Sequence, residues 1–394
     1  MNPALLEAPV QNFIREHAHA LPADIALRKS PFPQVSSGEL AEQIRSRGRI
    51  RKKLPHWYKT PDIYYPTLLA LEQCSSEQTA AYKAGLMPRH KRIIDLTAGF
   101  GVDAYYMAAR GNQVMHCELQ TALSQIARHN LNILGAGNVD FRIGDGIQVL
   151  QEQAEDHYEF AFIDPSRRVA GQKVFTLQAA EPDVLMHQDT LNRYVKQWMM
   201  KAAPLLDIHA ALRVLKHVRW IEVLSVGNEV KELLFLMQRH WDGPAQIRCT
   251  PLGQHQSDSF AFYPEEETSA EVSYALPQRY LYEPDAALMK AGCFKLIANR
   301  YHLFKLHPNT HLYTGEKRVE AFPGKIFEVL HVSTYAAFKK QSRVEAASIV
   351  TRNFPLKAEQ IRRKYQLRED PDSYLFFFRD CRKALCVVFA KRLA

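Results

Sequence analysis

No stretch of the chain reaches the run of about 18 apolar residues that a membrane-crossing helix requires, so no span is expected. The opening residues, MNPALLEAPVQNFIREHAHA, lack a basic start followed by an apolar core, and this pattern argues against a secretory leader. Cys74, Cys117, Cys249, Cys293, Cys381 and Cys386 form no CxxC pair and no cluster with histidine at zinc spacing. Neither a disulfide framework nor a metal site is therefore expected, and reduced thiols fit a cytoplasmic setting. Internal repeats and low-complexity segments are also missing, which excludes solenoids and long disordered tails.

What remains is a globular composition: 394 residues, 46% hydrophobic and 24% charged, long enough for two to four domains. The net charge of +9 is unevenly spread. Residues 1–90 hold 12 Lys/Arg against 8 Asp/Glu, residues 91–270 hold 17 against 22, and residues 271–394 hold 22 against 12. An acidic middle between basic ends suits a catalytic core whose flanks meet a polyanion.

Residues 1–88 read as a helical region punctuated by prolines. Near its end, Ser75 and Gln78 have the spacing of a capping box, with Gly85 as the stop. From Lys91 the pattern alternates. KRIIDLT, NQVMHCEL, VDFRI and EFAFID read as strands, and PLLDIHA and RWIEVLSV as two more. Between them lie helices, one of which carries Leu123, Ile126, Ala127, Asn130, Leu131 and Leu134 on one face. The expectation is an α/β fold with a doubly wound, mostly parallel sheet over residues 89–270. PEEETSAEV, residues 264–272, reads as a linker; small α+β modules are expected over 271–320 and 321–394, the latter with a helix in LKAEQIRRKYQL and strands in YLFFF and ALCVVFA.

The sharpest chemical signal is Asp95-Leu-Thr-Ala-Gly-Phe-Gly101, at the junction of the first strand and first helix. Gly99 and Gly101 permit a tight turn close to a ligand, and the helix start offers free N–H groups. Glu118, Asp145 and Asp164 follow the next three strands at intervals near one strand–helix unit, so four acids line the carboxyl edge of the sheet. GFGVDA also fits G-x-G-x-x-A, which leaves a nicotinamide dinucleotide as the rival ligand. A pyrophosphate would be repelled by Asp95 and Asp103, whereas a cationic sulfonium would be attracted.

DLTAGFGVDA, Glu118 and IDPSRR resemble motifs I, II and IV of class I S-adenosylmethionine methyltransferases, and the first is similar to the DxTAGxGxDA of bacterial guanine-N2 rRNA methyltransferases. Over about residues 60–394, EQCSSEQTAAYKAG, YLYEPDAALMKAG and RNFP…YLFFFRD resemble bacterial methyltransferase-like proteins with a ferredoxin-like module and a C-terminal THUMP-like domain. The resemblance implies a Rossmann-like core that binds S-adenosylmethionine through Asp95, Thr97, Ala98, Gly99, Gly101, Asp103, Glu118, Leu119, Asp145, Gly146 and Asp164. It implies that Asp164, Pro165, Ser166 and Arg167 face the methyl acceptor, with Ser166 where DPP(R/Y/F) has its second proline.

THUMP domains are associated with RNA, so the implied substrate is an RNA base nitrogen, in rRNA or tRNA. Arg168 would clamp a phosphate or base carbonyl. Two basic stretches suit an RNA contact: Arg45–Lys53, including Arg49, Arg51, Lys52 and Lys53, with Trp57 and Tyr58 nearby for stacking, and Arg362, Arg363 and Lys364. Both also suit solvated helix faces. His56, His116 and His129 lack ligand spacing and read as structural. DPSRR and VLSVGNEV contain no cysteine, which disfavours covalent pyrimidine-C5 chemistry. Methyl transfer to protein or a small molecule, and a non-catalytic RNA-binding scaffold, stay open.

Overall fold

The computed structural model describes residues 1–167, 177, 180–253, 259–341 and 344–393, in two compact units. The first comprises Met1–Arg219 with Leu234–Asp242 and opens on helices: α1 (Ala8–Glu16), α2 (Pro22–Ala26), α3 (Ser37–Ile50), α4 (Pro55–Lys59), α5 (Leu68–Gln73) and α6 (Glu77–Leu86). Strands and helices then alternate: β1 (Arg92–Asp95), α7 (Val102–Ala109), β2 (Gln113–Glu118), α8 (Thr121–Ile133), β3 (Val139–Ile143), α9 (Gly146–Gln151) and β4 (Phe160–Ile163). The short strands β5 (Ser166–Arg167) and β6 (Ala180–Glu181) pair antiparallel, followed by α10 (Val184–Tyr194), β7 (Gln197–Ala202) and α11 (Ile208–Leu212); β8 (Val218–Val226) falls mostly in the second unit, and β9 (Glu229–Gln238) is divided between the two.

Within this unit the strand order is β9-β7-β4-β1-β2-β3, with β7 through β3 parallel. The winding reverses at β1, whose neighbours are β2 and β4, and such a switch point leaves a crevice at the strand carboxyl ends. Ile93 and Ile94 in β1 and all of β4 are buried, as expected for strands covered on both faces. On α8, Ile126, Ala127, Asn130 and Leu131 are buried. Asn130 is there for its amide: it receives the Tyr64 N–H and donates to the Tyr64 carbonyl, at 2.8 and 2.9 Å. Gln43 on α3 clamps Tyr65 in the same way, at 2.7 and 3.0 Å. Two buried amides thus tie the segment around Tyr64 to α3 and α8 without leaving backbone groups unpaired.

The second unit holds Trp220–Leu233 and Gly243–Ala394. It contains β10 (Gln246–Leu252), β11 (Phe260–Phe262), α12 (Pro264–Ser269), β12 (Tyr280–Pro284), α13 (Ala286–Ala291), α14 (Phe294–Arg300), β13 (Phe304–Lys305) and β14 (Tyr313–Gly315). After these come β15 (Gly324–Thr334), α15 (Tyr335–Gln341), β16 (Ser348–Arg352), α16 (Ala358–Tyr365), β17 (Ser373–Arg379) and β18 (Leu385–Arg392). A sheet of order β13-β14-β12-β15-β18-β17-β16 spans its C-terminal part. The YLFFF run is buried on both faces: Tyr374, Phe376 and Phe378 pack with Leu281 and Phe327, while Leu375 and Phe377 pack with Phe338 and Ile361.

Three expectations are corrected. PLLDIHA is not a strand: Asp207 accepts the Ala210 N–H at 2.8 Å and caps α11, and the strand lies just upstream as QWMMKA. Residues 264–269 form α12 rather than an open linker, and Glu267 accepts the N–H groups of Lys295 and Leu296 at the start of α14. Ser76, not Ser75, caps α6, and Gly85 lies inside that helix.

Candidate active site at the strand ends

Asp95 is the last residue of β1 and only 1% exposed. Its Oδ1 accepts the Thr97 N–H at 3.3 Å, while its Oδ2 is buried with no hydrogen-bond partner. Burial, with Asp103 adding to it, holds this carboxyl well above the usual carboxylate range. Such an oxygen is costly to leave unpaired and ready for a cationic or proton-donating ligand.

The glycine loop is fastened to β2. The Ala98 N–H donates to the Cys117 carbonyl at 2.9 Å and the Gly99 N–H to Glu118 Oε2 at 3.1 Å, while His116 Nε2 meets the Gly99 carbonyl at 3.2 Å. Gly99 and Gly101 have φ of 56° and 86°; a Cβ at Gly101 would also lie 2.9 Å from Leu131 Cδ1. Gly101 begins α7 without a side-chain cap, so the loop leads into an open helix start. His116 is structural, as expected: burial lowers its pKa to about 4 and keeps the ring neutral.

Glu118 also accepts the Gln120 N–H through Oε1 at 2.7 Å, and Leu119 beside it is 65% exposed. Asp145 caps α9 by accepting the Ile147 N–H at 2.8 Å. Gly146 is required by packing, because a Cβ there would sit 2.2 Å from the Leu96 carbonyl oxygen. After β4, the Asp164 N–H donates to Thr97 Oγ1 at 2.7 Å and its Oδ2 pairs with Lys201 Nζ at 2.5 Å. Burial pushes the Asp164 carboxyl upward, and Lys201 opposes that push most strongly. Pro165 leads into β5, where Ser166 Oγ donates to the Glu181 carbonyl at 3.4 Å. Arg167 belongs to that strand by its backbone, and Arg168 lies outside the described residues. Asp164 and Asp145 thus follow β4 and β3, and Asp95 and Glu118 end β1 and β2, at one edge of four adjacent parallel strands.

Two lysines join them that sequence reasoning missed. Lys201 ends the apolar run of β7. Lys83, fully buried on α6, donates to Ser75 Oγ at 2.5 Å and pairs with Asp103 at 3.1 Å, and Ser75 donates to Asp103 at 2.7 Å. Their only sequence signal is a lysine inside a stretch whose neighbours are buried.

The first basic stretch is only partly available. Arg49, Arg51 and Lys52 are exposed, with Arg49 3.7 Å from Glu72. Lys53 is half-buried and donates to the Leu71 and Glu72 carbonyls at 2.8 and 3.0 Å, closing the end of α5. The stacking role expected of Trp57 is corrected: the ring is wholly buried against Phe100, and Arg47 lies over the Tyr58 ring. On α16, Arg363 and Lys364 are exposed and Arg362 pairs with Glu369 at 3.3 Å. Among the described residues no helix is long and apolar enough to cross a membrane, and no group of three or more His, Cys, Asp or Glu is arranged to hold a metal ion.

Residues 280–323 match a ferredoxin-like domain family and residues 324–391 a THUMP-domain-like family. An uncharacterised S-adenosylmethionine-dependent methyltransferase of Mycobacterium tuberculosis is 24% identical over 307 residues, covering 76% of this chain and 80% of that protein. A crystal structure of a candidate methyltransferase from Porphyromonas gingivalis W83 superposes with a TM-score of 0.90 at 28% identity, over 100% of both chains. Residues 280–391 thus carry ferredoxin-like and THUMP-domain-like regions, and over most of its length the chain is similar to S-adenosylmethionine-dependent methyltransferases.

Proposed function

We propose that the chain transfers a methyl group to a base nitrogen of RNA, in rRNA or tRNA. The observation that carries the reading is a THUMP-like domain, with Arg363 and Lys364 exposed on α16, in the same chain as the acid-lined strand ends.

S-adenosylmethionine, when bound, supplies the methyl group. Asp95 suits its positive charge: Oδ2 lacks a partner, and opposite unit charges 4 Å apart attract by about 4 kcal/mol at an effective dielectric of about 20. Glu118 has lone pairs left beyond its two amide bonds for ribose hydroxyls, and Asp145 has a second oxygen for an exocyclic amine. Thr97, Ala98, Gly99, Gly101 and Gly146 shape the cradle, Asp103 braces it through Lys83, and Leu119 offers an apolar surface. Asp103 is neutralised by Lys83, so repulsion of a pyrophosphate, and with it of the dinucleotide rival, falls to Asp95 and Glu118.

At the acceptor end, Asp164 and the carbonyls of Pro165 and Ser166 would accept hydrogen bonds from an amine and aim its lone pair, with Asp164 taking the proton after attack. Positioning of this kind supplies roughly 7–11 kcal/mol of a transfer barrier at best. Arg167, Arg168, Arg49, Arg51, Lys52, Arg362, Arg363 and Lys364 would hold the polyanion.

The test is to follow methyl-labelled S-adenosylmethionine into RNA, protein and small-molecule fractions of an extract lacking the protein's own activity. Label in RNA that depends on Asp164 supports the reading. Label only in protein or metabolites redirects it to another acceptor class. No transfer, with the biological effect intact in Asp164→Ala, marks a binding scaffold.

A further inference from the structure

We propose that Lys201 is a positioning residue for methyl transfer: from the end of β7 it fixes the orientation of the Asp164 carboxylate and keeps it charged. The inference rests on the role given above to Asp164.

Asp164 is tied at two points, its N–H to Thr97 Oγ1 at 2.7 Å and its Oδ2 to Lys201 Nζ at 2.5 Å. Among the described residues Oδ1 has no hydrogen-bond partner, so one oxygen is anchored and the other is left for an acceptor amine. A carboxylate that must accept hydrogen bonds cannot carry the proton itself. The surroundings favour the protonated form: burial raises the Asp164 carboxyl, and Asp103 on α7 adds to it. Asp95 on β1 belongs to the same acidic group, its own carboxyl being raised in part by Asp164. Two cations oppose them, Lys201 first and Lys83 on α6 second. Lys83 is committed to Ser75 and Asp103 at 2.5 and 3.1 Å, which leaves Lys201 as the direct counter-charge.

The plainer role is a staple between β4 and β7, adjacent strands in register from Phe160 opposite Gln197 to Ile163 opposite Met200. A staple alone moves stability and the Asp164 titration together; a positioning residue moves kcat and its acid limb as well. The decisive comparison is wild type, Lys201→Met and Lys201→Arg, each with carboxyl-labelled aspartate followed by carbon-13 NMR across pH, with Asp164→Asn assigning the signal. In Lys201→Met the Asp164 titration should rise by about 1–3 pH units, and Lys201→Arg should restore most of it. Methyl transfer into total RNA from a strain lacking the gene should show the same rise in its acid limb. At neutral pH kcat should fall about tenfold or more, with KM for S-adenosylmethionine within about threefold. An Asp164 titration and acid limb unmoved in folded Lys201→Met overturn the proposal. A wild type that labels no RNA, alongside a shifted Asp164 titration, overturns the RNA reading and leaves the Lys201–Asp164 link standing.

Discussion

Asp95 illustrates how a residue can cost stability and serve binding. Its folded pKa lies above the unfolded value, so the native state holds the proton more tightly. Stability from this group is then greatest below the unfolded value near about 4 and is lost as pH rises toward the folded value. Asp95→Asn removes the buried charge, so its melting temperature at pH 8 should equal or exceed that of wild type. Its affinity for S-adenosylmethionine by calorimetry should fall about tenfold or more, the loss of one charge-assisted bond of about 1.5–3 kcal/mol. Lower stability with unchanged affinity would contradict that assignment. Asp164→Asn should lower kcat by roughly 10²–10⁴-fold, the usual worth of a proton-transfer group, with cofactor affinity little changed in the same titration. The acids were legible in the sequence because they recur once per strand–helix unit and parallel strands bring such positions to one edge. Lys201 and Ser75 were not, because their partners stand 37 and 28 residues away and only the sheet and α6 bring them together.

At the scale of the element, turns and caps explain most of what sequence pattern misplaced. Ser75 and Ser76 are adjacent, and either could begin α6; Ser76 takes the cap, which frees the Ser75 hydroxyl for Asp103. QWMMKA sets a glutamine and a lysine around a short apolar run, and PLLDIHA, read as a strand, holds an aspartate that in fact starts a helix. The linker reading of 264–272 failed because Glu267 works across sequence, at the start of α14. Two substitutions test these junctions. Gly146→Ala places a Cβ against the Leu96 carbonyl, and backbone there cannot yield cheaply; stability in urea should fall by roughly 1–3 kcal/mol. Lys83→Met leaves the partly buried Asp103 with the Ser75 hydroxyl but without its cation and should cost roughly 1–3 kcal/mol in the same measurement. Wild-type stability in either variant would show that the junction is looser than the packing implies.

For the whole molecule, the α/β core and the YLFFF and ALCVVFA strands could be read in advance because their hydrophobic periods are strong. β15 escaped notice: GKIFEVLHVST mixes apolar and polar residues, and its second half is largely exposed. Basic charge at both ends was legible, but which cations reach outward was not, as Lys53 shows. If α16 contacts phosphates, reversing Arg362, Arg363 and Lys364 together should weaken RNA binding and flatten the slope of log affinity against log salt by about 2–3. An unchanged slope would remove that helix from the interface. The account as a whole is tested most directly by mass spectrometry of RNA nucleosides from a deletion strain beside its parent. It predicts that one base-methylated nucleoside disappears and returns with the wild-type gene but not with Asp164→Asn. An identical set of methylated nucleosides in the two strains would contradict it.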